Sequence, residues 1–127
     1  MTLKNYFMAL SNSVENVFKM VQGLGSGMFR LSLLANIKDT SSGEKISIIL
    51  SPEKNEVNDG FNNLFQYKIE APMDVWDKVF HGKETLIGNL IAGNVLAPDM
   101  RAMWMQISVL SMLISLLLSM KILKINE

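Results

Sequence analysis

The chain has 127 residues, enough to bury one core and to form a single domain over residues 1–127, and it is 49% hydrophobic but only 19% charged. Twelve basic and twelve acidic side chains cancel, so no net field exists to gather nucleic acid or anionic lipid, and no nucleic-acid partner is expected. With no cysteine, disulfides, thiolate catalysis and cysteine-ligated metal clusters are excluded. Residues 1–22 carry polar and acidic side chains throughout and lack the unbroken apolar run of a signal peptide, which sets a cytoplasmic location as the expectation.

The first element reads as a helix. After Thr2 as N-cap, Leu3, Tyr6, Phe7, Leu10, Val14, Val17, Phe18 and Val21 recur at the three-and-four spacing of one buried stripe. Gly23, Gly25 and Gly27 then break it with a loop. A phosphate-binding reading of this loop is weak beside that of a plain connector, because a P-loop or dinucleotide loop follows a strand and this one follows a helix.

From Phe29 the period changes to two. Phe29, Leu31, Leu33, Ala35 and Ile37 alternate with polar residues as a half-buried strand, Asp39 to Gly43 carry turn chemistry, and residues 45–50 form a second strand with Ile46, Ile48 and Leu50 inward. The polar segment 51–63 holds at most a short edge strand around Val57. Phe65, Tyr67, Ile69 and Ala71 alternate with Gln66, Lys68 and Glu70 as another strand.

After Pro72 the period turns helical again, with Asp74 in the first turn, Val75, Trp76, Val79 and Phe80 apolar, and Gly82 as the stop. Residues 85–91 suit a brief helix, 93–97 a short strand, and Pro98–Asp99 the start of a last helix. Strands grouped before helices predict an α+β fold, with helices on one face of a largely antiparallel sheet.

The last helix is the most informative segment. Residues 102–120 contain no charge, and they are flanked by Arg101 on one side and Lys121 and Lys124 on the other. Such a run approaches the thickness of a hydrocarbon core, which raises a C-terminal membrane anchor as an alternative. Yet Ser108, Ser111, Ser115 and Ser119 share one face, opposite Met103, Leu110, Leu113, Ile114, Leu117 and Met120, so burial against a globular domain is favoured.

Over residues 65–120 the chain resembles the sterol carrier protein type 2 domain. The strand ending at Ala71, Trp76 in the helix before Gly82, then Gly93, Val95, Asp99 and a long apolar helix carry the resemblance. Asn94 and Pro98 depart from it, standing where lysine and glycine are usual. The resemblance implies a sheet of about five strands, with an apolar tunnel between the sheet and the C-terminal helix for a sterol, fatty acid, acyl chain or phospholipid.

The composition points the same way, since an apolar ligand needs a dry concave site and methionines such as Met103, Met105, Met112 and Met120 re-pack around irregular shapes. The candidate lining is Trp76, Phe80, Leu90, Met103, Leu110, Leu113, Ile114 and Leu117. No cofactor or catalysis is expected. His81 is the sole histidine, Asp74 and Asp77 suit a helix N-terminus, and no Gly-x-Ser-x-Gly elbow occurs. The expectation is therefore a non-enzymatic lipid-binding or lipid-transfer domain, with peripheral membrane contact or a homodimer as further partners. The alternatives are a membrane-anchored protein and an oligomerisation module using the last helix.

Overall fold

A computed structural model describes residues 1–21, 32–51, 53–98 and 100–125, without the side chains of residues 18–21 and 100–103. The elements run α1 (Leu3–Val21), β1 (Leu33–Asp39), β2 (Lys45–Leu50), β3 (Asn55–Asp59), β4 (Tyr67–Ala71), α2 (Met73–Phe80), α3 (Leu86–Ile91) and α4 (Met100–Ser119). The glycine-rich loop, the first residues of the predicted opening strand (Phe29 and Leu31) and Asp99 lie outside the described residues.

The α1 stripe folds as its spacing predicts: Leu3, Tyr6, Phe7, Leu10 and Val14 are buried. Thr2 caps the helix by accepting from the Asn5 N–H at 3.2 Å. A second cap comes from far along the chain, where the Glu44 carboxylate accepts from the Leu3 and Lys4 N–H groups at 3.0 and 3.1 Å. A negative charge on unpaired amides at the positive end of a helix satisfies both hydrogen bonding and the macrodipole.

The sheet has the order β3-β2-β1-β4. Ile37 is paired with Ile46 and with Ile69, and Ala35 with Ile48, so the alternation read from sequence brings the isoleucines to one buried face. Two expectations need correction. The sheet has four strands among the described residues instead of about five, and it is mixed instead of largely antiparallel, because β4 runs parallel to β1.

Both departures have local causes. Residues 93–97 contribute a single bridge, in which Glu70 and Leu96 exchange N–H···O bonds of 2.9 and 2.7 Å. Before Leu96, the Asn94 N–H is committed to the Asn89 carbonyl at the close of α3. After it, Pro98 has no N–H to donate, so the ladder cannot extend. The parallel pairing arises because β3 and β4 occupy opposite edges, and residues 60–66 cross between them over the outer face. The crossing is pinned by a reciprocal pair: the Asn36 side chain donates to the Asn62 carbonyl at 3.0 Å and accepts from the Asn62 N–H at 2.8 Å. Phe61 rests there beneath the Lys45 and Lys68 ammonium groups, 5.3 and 5.2 Å from its ring centre.

The helices lie on the opposite face. α1 packs on β2 and β3, and α2 joins α1 to α3 and α4. The turns close by chemistry visible in the sequence. Asp39 accepts from the Ser41 N–H at 2.8 Å and from the Ser42 hydroxyl at 2.6 Å, and Gly82 ends α2 with a φ of +73°. The N–H groups of Gly82 and Lys83 reach back to the Val79 and Lys78 carbonyls, the pairing of a Schellman cap. α4 closes in the same way, with Lys121 in the left-handed position at φ 59° and Ile122 bonded to the Leu117 carbonyl at 3.0 Å. This reversal buries Leu123.

Candidate functional site

Two residues of the candidate lining, Trp76 and Phe80, are fully buried in an aromatic cluster with α1. Phe80 stacks on Tyr6 at 4.7 Å, and the Phe7 ring stands edge-on to Trp76 at 5.6 Å and to Phe80 at 5.2 Å. Each such pair contributes about 0.5–1.5 kcal/mol beyond its buried area. The Trp76 indole N–H donates to the Ala71 carbonyl at 3.0 Å and, more distantly, to the Lys38 carbonyl at 3.3 Å. It thereby ties α2 to the ends of both parallel strands.

The remaining candidates come from α3 and α4. Leu90 is buried on α3, and Leu110, Ile114 and Leu117 are buried on the inward face of α4 in the same apolar cluster as Trp76 and Phe80. Leu113 is half-buried and packs against that cluster. Met103 lies in the first turns of α4, its side chain outside the described residues.

One serine departs from the expected polar stripe. Ser111 is buried, and its hydroxyl accepts from the Ile87 N–H at 3.2 Å, giving an otherwise unpaired amide in the first turn of α3 its partner. Met120, predicted on the inward side, is exposed.

A polar residue that sequence reasoning passed over stands among the apolar ones. The side-chain oxygen of Gln106 is buried and has no hydrogen-bond partner. Gln106 precedes Leu110, Leu113 and Leu117 at i, i+4, i+7 and i+11, so it heads the same ridge of α4. A lone amide on the apolar side of the uncharged run 102–120 was the signal available in the sequence. An unpaired buried acceptor costs on the order of 1–3 kcal/mol, which a ligand donor placed beside it would recover.

Asp77 also does more than favour a helix terminus, because it accepts a hydrogen bond from the Tyr6 hydroxyl. Among the described residues, no three His, Asp or Glu side chains are grouped to hold a metal ion, and no helix is long and apolar enough to cross a membrane.

No protein-family profile matches the sequence, and no curated protein is similar to it by sequence. Structural similarity is extensive. The fold matches a conserved protein from Thermus thermophilus, a candidate sterol carrier protein, at TM-score 0.59 and 11% identity over 100% of this chain and 92% of that one. It matches sterol carrier protein 2 at TM-score 0.58 and 13% identity, over 89% of this chain and 95% of that one. Palmitated SCP2L2 from Aedes aegypti matches at TM-score 0.55 and 17% identity, over 86% of this chain and 94% of that one. The chain also covers 11% of a much larger inverting sec-alkylsulfatase from a Pseudomonas species at TM-score 0.46, a likeness too partial to bear on function. The fold is that of the sterol carrier protein 2 structures.

Proposed function

We propose that this chain is a non-catalytic carrier of a lipid-like apolar ligand, acting as one unit over residues 1–127. The observation that carries the reading is the whole-length likeness to sterol carrier structures, one of which was determined in palmitated form. The ligand is a sterol, fatty acid, acyl chain or phospholipid. It lies between the sheet and α4, against Leu90, Met103, Leu110, Leu113, Ile114 and Leu117, with Trp76 and Phe80 as the rigid floor. Apolar walls supply the driving force, and a single polar group fixes which end of the ligand goes in first. Gln106 is that group, accepting from a hydroxyl or a protonated carboxyl.

The test is native mass spectrometry of protein purified without detergent, followed by organic extraction. Added masses of a few hundred daltons that vanish on extraction are expected, and the stripped protein should take up a fluorescent fatty-acid analogue. Ligand-free protein that also ignores the analogue would defeat the proposal.

A further inference from the structure

The outward face of α4 gathers more exposed large apolar side chains than any other element among the described residues. Seven of the eleven exposed large hydrophobic side chains among the described residues lie between residues 91 and 120. On α4 and at the residue that follows it they are Trp104, Met105, Met112, Leu116 and Met120, with Met105 75% exposed and Met120 57%. At 3.6 residues per turn these five project within an arc of about 160°, opposite the buried Ile107, Leu110, Ile114 and Leu117. The same arc also holds Ser108, Ser115 and Ser119, so the outer side of α4 is amphipathic, with large apolar side chains among small hydroxyls, and only the inner side is covered by the fold.

Charge decides what covers the outer one. Between residues 85 and 125 the chain has one carboxylate, Asp99, against Arg101, Lys121 and Lys124, although the whole chain is neutral. A second copy docked antiparallel on this face would set Lys121 and Lys124 against the partner's Arg101 end, and a parallel one would set lysines against lysines. Asp99, close to Arg101 in sequence, is the one carboxylate of the segment, and set against three cations on each copy it offsets either arrangement only in part. An anionic surface meets the same cations favourably. Trp104 near one end, flexible methionines along the stripe and lysines at the other end are the side chains that settle into a headgroup boundary.

We infer that the outward face of α4 is a membrane-docking surface for bilayers with anionic headgroups, on which the helix lies flat. The inference rests on the carrier reading for its purpose, which is exchange of ligand with a membrane through the helix that covers the ligand. Its physical test is independent of that reading.

The experiment is co-sedimentation of the full chain with phosphatidylcholine vesicles, with and without phosphatidylglycerol. Binding to the anionic vesicles should fall with added salt, and pure phosphatidylcholine should bind less. Met112→Asp and Leu116→Asp, both at exposed sites, should lower partitioning about tenfold or more. Lys121→Gly should lower it about fivefold by removing one cation, while the glycine suits the left-handed backbone there. Its loss of binding therefore cannot come from misfolding, which circular dichroism of each variant verifies. Ligand content of the same variants, read by extraction, should be unchanged. Vesicle binding by a protein that never holds ligand would sink the carrier reading and leave the surface standing. Absence of binding to anionic vesicles, or binding indifferent to the aspartates, would overturn the inference. So would a dimer in analytical ultracentrifugation that Met112→Asp dissociates, since a second copy would then own the face.

Discussion

The Tyr6 hydroxyl donates to the carboxylate of Asp77, across 71 positions of sequence, while the Tyr6 ring stacks on Phe80 one turn further along α2. One side chain thus fixes both the distance and the rotation of α1 against α2. Tyr6→Phe keeps the ring and removes the bond. Asp77 is only half-buried and can turn to water, so the expected loss is about 1 kcal/mol. Urea unfolding should show a lower midpoint with an unchanged slope. An unchanged midpoint would mean that the stacked ring alone sets the angle.

Glu44 offers a second test, because its carboxylate bonds two amides of the first turn of α1 from the β1–β2 turn. Glu44→Ala should lower stability by about 1–2 kcal/mol, the range for loss of an N-cap. Glu44→Gln retains an acceptor but not the charge, and should fall between the two proteins. If the glutamine and alanine variants unfold together, the charge and not the hydrogen bond is what matters.

Gln106→Leu should separate stability from function. The leucine removes a buried acceptor with no partner and adds apolar contact on the Leu110, Leu113 and Leu117 ridge, so the ligand-free protein should gain about 1–3 kcal/mol. The same variant should retain less of any ligand that carries a hydroxyl or carboxyl. Thermal unfolding of stripped protein, together with extraction of protein as purified, reads both effects. A destabilised variant would show that the amide has a role in the fold itself.

Gly82 provides a backbone test. Its φ of +73° is a conformation that any side chain strains, while the added Cβ would meet only Leu118, at 3.9 Å. Gly82→Ala should therefore cost about 1 kcal/mol through the backbone and not through a clash, measured as a shift in urea midpoint.

Much of this architecture was legible because periodicity survives in single elements. The alternation that put Ile46, Ile48 and Ile37 inward, the stripe of α1, and Gly82 as a helix stop each depend on neighbours within a few residues. What could not be read depends on distant partners. Glu44 looks like an ordinary turn carboxylate until α1 is placed beside it. Ser111 belongs to a serine stripe until Ile87 presents an amide to it, and Met120 belongs to the apolar side until α4 is seated on α2 and α3. The expected fifth strand failed for the same reason: Leu96 has the composition of a strand, but the closure of α3 and Pro98 leave it room for one bridge. The residues of the candidate site were legible as apolar helix faces. Gln106 was overlooked because an isolated amide has no pattern of its own.

The crossing of residues 60–66 also dictates an order of assembly. β1, β2 and β3 pair with their chain neighbours and close short loops, whereas β4 reaches β1 only after the chain has traversed two strands. Loop closure makes that last pairing the slow one. Until it forms, Trp76 has only one of its two strand ends to bond, and α2 has no fixed seat for α4. The β1–β2–β3 meander is thus the part whose pairings close soonest, and the half that holds α4 is completed last, once β4 has reached β1.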